Sequence, residues 1–590
     1  MASRYHEVYE GWKSDPIGFW DDAAKAIDWY KPAEKVFDPA EGVYGRWFIG
    51  ATCNTCYNAI DRHVAGGRAD QLALIHDSAI TGTIRKFTYA ELKREVVALA
   101  SVIRHRGIDK GDRVIIYMPM VAEAAIAMLA CARLGAVHSV VFGGFASHEL
   151  ATRIDDAKPK LIITASCGLE PGRREQLRCE MKDNYDFDYA DAVARERAAG
   201  ANVDCVPVLA TDPLYIIYTS GTTGQPKGIV RDNGGHMVAL KWTMDNEFGV
   251  KPGEVFWAAS DVGWVVGHSY IVYGPLLHGC TSVLFEGKPI GTPDAGTYWR
   301  VISEHGVVAL FTAPTAFRAI KGQDPKGEFF RTLFLAGERA DPETIKWAEQ
   351  KLDRPVVDHW WQTETGSPMT INPAGLGLLP VKYGSPGVPM PGYDIRVLDD
   401  AGHEVPRGTL GNVVVKLPLP AGCLPTLWNA DARFRQAYLE EFPASTRRPT
   451  PACSTRTATS MSWPAPTTSS TSPATGCAME EVLAAHPDVA ECAVIGVADA
   501  MKGQVPLGFV VLNAGVSRDT ALIESEVVGL VRERIGPTVV TIKRLPKTRS
   551  GKILRGTMQK IADKEEWAMP ATIDDPAILD EITAALKGRV

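Results

Sequence analysis

At 590 residues the chain exceeds what one hydrophobic core supports, so it divides into two or more domains, at least one of them large. Apolar residues at 45% and charged residues at 23% sit near the globular average and exclude a disordered or fibrous protein. A net charge of −7 provides no basic field for nucleic acid or an anionic membrane, although a local pocket of Arg and Lys can still hold a phosphorylated ligand.

The N-terminus, Met-Ala-Ser-Arg-Tyr-His-Glu, lacks the apolar stretch of a secretory signal, so a cytoplasmic location is expected. Residues 114–142 are the most apolar long stretch, but Glu123, Arg133 and His138 interrupt it, which argues for buried strand and helix over a membrane span. Eleven scattered cysteines fit a reducing compartment. Cys53 and Cys56 form a C-x-x-C pair with no second pair at zinc spacing, so they read as small buried thiols.

From Arg113 the chain runs strand (114–118), helix (122–134, ending at Gly135) and strand (138–142). The rhythm continues with a helix at 147–157 and strands at 161–165, 214–218, 255–259, 308–311 and 333–335. Short apolar strands alternating with longer helical segments argue for an α/β domain built on mostly parallel sheet covered on both faces. Near Ile395 the texture changes: 395–398 and 412–417, separated by Gly402 and Pro406-Arg-Gly, read as an antiparallel β-subdomain. Residues 443–475 are rich in Ser, Thr and Pro with almost no aliphatic side chain, which predicts irregular, poorly packed chain. Beyond about Ala478 the pattern is helix (479–485), strand (492–497), strand (507–512), helix (523–534) and a basic tail to Lys552, a compact α+β unit.

The strongest chemical signal is Tyr218-Thr-Ser-Gly-Thr-Thr-Gly-Gln-Pro-Lys-Gly228, directly after a predicted strand. Such a loop offers hydroxyls, backbone N–H groups and one ammonium to a polyphosphate. It is not a Walker A loop, because Lys227 follows Pro226 and precedes Gly228 instead of leading into a helix as Gly-Lys-Ser/Thr. Together with Pro546-Lys-Thr-Arg-Ser-Gly-Lys552 it resembles the two hallmark motifs of the adenylate-forming enzymes, which activate carboxylic acids as acyl-AMP.

The resemblance extends from Trp47 and Asn54-Thr-Cys-Tyr-Asn-Ala59 to the final basic segment, and within the family it is closest to the short-chain acyl-CoA synthetases of propionate type. It implies a large N-terminal domain of parallel sheets with helices (1–442, with a cap at about 1–60 and a β-subdomain at about 385–442) and a small α+β C-terminal domain (478–590). ATP and coenzyme A are the implied co-substrates and Mg²⁺ the implied ion. Residues carried over for ATP and AMP are Thr219, Ser220, Gly221, Thr222, Thr223, Gly224, Lys227, Gly337, Glu338, Arg339, Asp358, His359, Trp360, Trp361, Gln362 and Thr363. Glu364 matches the magnesium carboxylate, in keeping with the preference of Mg²⁺ for one or two carboxylates plus substrate phosphates. Lys552 would stabilise the charge that builds at the α-phosphate as the acid attacks, with Lys547, Arg549 and Arg555 adding positive potential.

Trp264, Val266, Ala336 and Trp361 fall where acetate- and propionate-using relatives build the acyl pocket. Ala336 stands where acetate-type enzymes carry Val, leaving room for about one more carbon, and one methylene discriminates by only about 1–3 kcal/mol. Arg231-Asp-Asn-Gly-Gly-His236 also resembles the propionate type. For coenzyme A, Arg532 matches a contacting arginine and Arg173 lies near a second phosphate-contacting position, after which the sequence is shorter than the family pattern.

Residues 443–477 are where the family carries an Asp on the ribose hydroxyls, an Arg at the hinge and a Gly-His-Arg loop facing coenzyme A, and none of these is present. Residues 443–452 can be back-translated so that reading from the third base gives Gly-Phe-Tyr-Lys-Thr-Ala-Asp-Ala-Gly. In the same frame 454–475 gives Asp-Glu-Asp-Gly-Tyr-Val-Tyr-Val-Met-Ala-Arg-Thr-Asp-Asp-Ile-Ile-Asn-Val-Ala-Gly-His, the missing segment. The amino acids largely fix the last two bases of each shifted codon, and Met461 and Trp463 have one codon each, so codon freedom does not explain the match. The expectation is a frameshift in the gene, and an inactive nucleotide-binding chain while residues 443–475 stand as they are.

Overall fold

The computed structural model describes residues 3–143, 147–170, 173–176, 187–219, 227–321, 331–337, 340, 342–399, 401–406, 409, 411–440, 453–456, 480, 483, 486–499, 503–513, 515–532, 538–547, 553–567, 569–570, 573 and 575–587. The parallel strands form two sheets rather than one. A seven-stranded sheet runs in the order Val356–Asp358, Thr332–Leu335, Val307–Thr312, Val255–Ala258, Thr281–Glu286, Leu72–Ser78, Thr83–Thr88, parallel except for its last pair. A five-stranded sheet runs Lys227–Asp232, Pro213–Thr219, Val137–Phe142, Arg113–Met118, Leu161–Thr164, parallel except for its first pair. Local periodicity reports that a strand is buried on both faces; it carries no information on which sheet the strand joins.

The helix Ala122–Leu134 is buried on almost every face because it is packed against both the five-stranded sheet and the helix Tyr89–His105. Gly135 ends it at φ 70°, a left-handed cap that glycine adopts without a Cβ penalty. In its last turn Arg133, 3% exposed, donates from Nη1 and Nη2 to Asp61 at 2.7 and 3.1 Å and from Nε to the Val203 carbonyl at 2.6 Å. Lys93 adds a second cation to Asp61 at 2.8 Å. Burial alone would raise the Asp61 carboxyl, but these hydrogen bonds hold it below the usual range.

Cys53 and Cys56 are both fully buried, and the neighbours of Cys56 are Asp61 and Cys205. Those three groups lie within ligand reach of one another, yet two cations already occupy the Asp61 oxygens, so the setting opposes a metal ion. Arg133→Met leaves Asp61 with Lys93 alone and is expected to lower unfolding free energy by about 3–5 kcal/mol, as when one partner of a buried pair is removed. Urea denaturation measures it, and a loss under ~1 kcal/mol would remove the pair from the account of stability.

Asp394–Leu398 and Asn412–Lys416 pair antiparallel, forming the β-subdomain. Cys453–Arg456, within the stretch expected to be irregular, instead form a third strand against Asn412–Lys416, with Asn412 opposite Arg456 and Val413 opposite Cys453. Sheet pairing needs only backbone N–H and C=O groups, so an open edge accepts a Ser/Thr-rich partner that side-chain periodicity does not reveal. Other residues of 443–475 lie outside the described residues.

In the C-terminal unit Val489–Asp499 pairs antiparallel with Gly503–Leu512, which pairs parallel with Thr538–Thr541. The helices Arg555–Ala562 and Ala577–Leu586 pack around Phe509, Val540, Met558 and Leu579, while Thr520–Arg532 packs Ile523 and Val527 against Val489, Val494 and Val510. Of the helix expected at 479–485, only residues 480 and 483 are described, both helical. Among the described residues no helix is long and apolar enough to cross a membrane.

Candidate active site

Pro213–Thr219 and Lys227–Asp232 are adjacent antiparallel strands, Thr219 opposite Lys227, so the phosphate-loop motif joins two strands of one sheet edge. The strand after the motif replaces the helix that a Walker A loop would lead into. Ser220, Gly221, Thr222, Thr223 and Gly224 lie outside the described residues, while Thr219 and Lys227 stand at the two strand ends.

Lys227 and Glu364, separated by 137 positions in the chain, come together here. Burial lowers the Lys227 ammonium below its usual range, with the Glu364 carboxylate opposing that shift and Arg433 adding to it. Tyr438 joins them: its hydroxyl donates to Glu364 Oε1 at 2.6 Å, and its ring lies 4.8 Å from Lys227 Nζ. Tyr438 ends the helix Asp431–Tyr438, and nothing in its surrounding sequence marks it as part of a site.

The segment carrying Glu364 starts at Asp358, the buried last residue of Val356–Asp358, the edge strand of the seven-stranded sheet. His359 packs its ring 4.7 Å from Phe311, and burial lowers it to about 3, so it is a neutral packing residue at any physiological pH. Trp360 exchanges backbone hydrogen bonds with Thr370 at 3.0 and 3.2 Å, and the Gln362 N–H donates to Thr365 Oγ1 at 3.1 Å. Thr363 and Glu364 turn their carbonyls to the Arg231 guanidinium at 2.5 and 3.1 Å. Gly337 follows the strand Thr332–Leu335 at φ 103° with open space where a Cβ would stand; Glu338 and Arg339 lie outside the described residues.

Of the four acyl-pocket candidates, Val266, Ala336 and Trp361 belong to the main apolar cluster, where Trp361 meets Tyr270 at 5.5 Å and Phe311 at 6.0 Å. Trp264 stacks on Phe142 at 5.6 Å in a separate small cluster with Tyr117 and Val141. Lys552 and the side chains of Arg532 and Arg173 lie outside the described residues; Arg532 ends a helix and Arg173 begins the strand Arg173–Gln176. Lys547 and Arg555, expected to add positive potential, are each met by a carboxylate, Glu491 at 2.6 Å and Glu480 at 2.9 Å, which spends their charge within the unit.

A family model for the AMP-binding enzymes matches residues 61–423, one for the AMP-binding enzyme C-terminal domain matches 478–552, and one for the acetyl-coenzyme A synthetase N-terminus matches 5–59. An uncharacterized protein of Pseudomonas aeruginosa is 48% identical over 98% of each chain. The mitochondrial acyl-CoA synthetase short-chain family member 3 of Bos taurus is 46% identical over 97% of this chain and 90% of that one. The propionate–CoA ligase of Escherichia coli is 41% identical over 99% of this chain and all of that one. These alignments span 626, 621 and 635 positions, more than the 590 residues present, so the relatives carry segments that this chain lacks. The acetoacetyl-CoA synthetase of Streptomyces lividans shares the fold, with a TM-score of 0.79 at 22% identity over 98% of this chain and 94% of that one. The chain therefore belongs to the AMP-binding enzyme family, among its short-chain acyl-CoA synthetases, whose reaction joins a carboxylic acid to coenzyme A at the expense of ATP through an acyl-AMP.

Proposed function

We propose that this enzyme uses propionate, with acetate as a second substrate, and forms propionyl-CoA, AMP and pyrophosphate in the cytoplasm. The observation that carries the site reading is the meeting of Lys227 and Glu364 at the end of the phosphate-loop strand, with Tyr438 bridging them. The Lys227 ammonium neutralises polyphosphate charge, and the backbone and hydroxyls of 219–224 cradle it. Glu364 suits Mg²⁺, since it presents one carboxylate beside the cation that would share the phosphates. When bound, the ion neutralises the departing pyrophosphate. Residues 337–339, 358 and 360–363 hold the adenosine with His359 packed behind them, Arg532 and Arg173 take coenzyme A phosphates, and Lys552 supports the adenylation step.

Trp361, Trp264, Val266 and Ala336 form the acyl end, the two indoles closing it to longer chains. Between acetate and propionate the discrimination available is that of a methylene, about 1–3 kcal/mol, so acetate is tolerated, while acids beyond about four carbons are refused because the two indoles close the pocket. Pyrophosphate release with acetate, propionate, butyrate and hexanoate tests this, and clear turnover of hexanoate contradicts it. Ala336→Val is expected to shift the preference toward acetate by about tenfold or more. An unchanged acetate-to-propionate ratio would remove Ala336 from the specificity argument.

A second reading, that the chain with residues 443–475 as they stand binds nucleotide without completing the reaction, is favoured by the composition of that stretch. It also lies between the two family matches, which end at 423 and resume at 478. Residues 1–442 act as the adenylate-forming domain and 478–590 as the mobile C-terminal domain, with 443–477 at the hinge.

A further inference from the structure

We infer that Arg231 is a positioning residue that fixes the Glu364 segment against the phosphate-loop strand, and so sets the affinity of the site for magnesium-bound ATP. The inference rests on the reading of Glu364 given above. Arg231 is 0% exposed. Its Nε donates to Tyr215 Oη at 3.3 Å, Nη1 to the carbonyls of Glu364 at 3.1 Å and of Gly422, and Nη2 to the Thr363 carbonyl at 2.5 Å. The contacts reach 132, 133 and 191 positions along the chain, to irregular backbone outside the strands, where the Leu424 N–H also donates to the Glu364 carbonyl at 2.9 Å.

A guanidinium cannot lose its proton and is costly to bury, so packing alone would be served better by an apolar side chain. What an apolar residue cannot supply is a rigid fork of donors to three carbonyls at once. The site makes room for that fork: Gly366 has φ 71°, and a Cβ there would lie 2.9 Å from Arg231 Cζ.

Lys227 and Arg231 are four residues apart on one strand and therefore on the same face of it. That face sends an ammonium toward the Glu364 carboxylate and a guanidinium to the Glu364 carbonyl, while the Tyr438 hydroxyl holds the carboxylate itself. Each of these Arg231 donors faces protein, so the residue acts through Glu364 and Thr363 and not on substrate.

The test is calorimetric titration of the full-length chain with ATP, with and without Mg²⁺, for the parent, Arg231→Lys and Arg231→Met. Lysine keeps the charge but cannot bridge three carbonyls; methionine keeps the bulk and has no donor. Both are expected to weaken Mg²⁺-ATP at least tenfold and ATP in EDTA less than threefold. Arg231→Gln, which retains two N–H donors, should fall between parent and methionine, and it serves if the methionine variant does not fold. In the chain with the alternative frame restored, the KM for ATP in acid-dependent pyrophosphate exchange should rise at least tenfold, with thioester formation from supplied propionyl-AMP within threefold of the parent.

A folded Arg231→Lys with Mg²⁺-ATP affinity within threefold of the parent overturns the proposal, as does equal loss of both half-reactions. Arg231-dependent Mg²⁺-ATP binding in a chain that releases no pyrophosphate with any acid supports the positioning role and overturns the ligase reading. Failure of both parent forms to bind Mg²⁺-ATP overturns the two together.

Discussion

Lys552→Ala is expected to abolish acyl-AMP formation while leaving thioester formation from supplied propionyl-AMP largely intact. The reason lies in where charge develops. During adenylation the α-phosphate gathers negative charge as the carboxylate attacks and pyrophosphate leaves, and a positioned ammonium stabilises that arrangement more than the ground state. In the second step a thiolate attacks a carbonyl and AMP departs, and a rotation of the C-terminal domain would by then have exchanged Lys552 for the coenzyme A face. Removing one such electrostatic group costs ~100- to 1,000-fold in rate. The neighbouring charges do not replace it, because Lys547 is already paired with Glu491 and Arg555 with Glu480. Pyrophosphate release and coenzyme A consumption, followed separately, measure the two steps. An equal loss in both would take Lys552 out of the chemistry and leave it a structural or general binding role.

Much of the framework was legible because it depends on local pattern. The strand Arg113–Met118, the helix Ala122–Leu134, the left-handed Gly135 and the strand Val137–Phe142 follow from apolar runs punctuated by a residue that tolerates positive φ. What was not legible is long-range. Lys-Gly-Ile-Val-Arg-Asp at 227–232, with charges at both ends, is not among the predicted strands, yet it is the antiparallel edge of the five-stranded sheet. Tyr438 reaches Glu364 across 74 positions, and the tie from Arg231 to Gly422 crosses 191, distances over which no sequence period operates. The charge on Lys547 and Arg555 was visible, but their partners Glu491 and Glu480 were set by strand and helix placement. Cys453–Arg456 shows the converse: a segment without apolar pattern still pairs by backbone.

The second large effect concerns residues 443–475. Without the Asp expected on the ribose, the nucleotide loses a charge-assisted contact that is alone worth on the order of 1.5–3 kcal/mol. Without the hinge Arg and the Gly-His-Arg loop, the C-terminal domain has no defined path between its two working positions, and the thiol is not guided to the acyl-AMP. These losses compound, because holding acid, ATP and thiol in one cleft is what makes each step effectively unimolecular. The strand Cys453–Arg456 supplies backbone pairing and none of these groups. The chain as it stands should therefore show little or no ligase activity, and the shifted reading of the same bases should restore it.

Two chains made side by side, one with residues 443–475 as they stand and one with the alternative frame restored, decide the matter in an assay of propionate-dependent AMP formation with coenzyme A present. The account predicts turnover by the restored chain and at most a trace by the other. Comparable turnover by both would show the segment to be a genuine insertion, and absence of propionate-dependent AMP from the restored chain would contradict the assignment of the reaction itself.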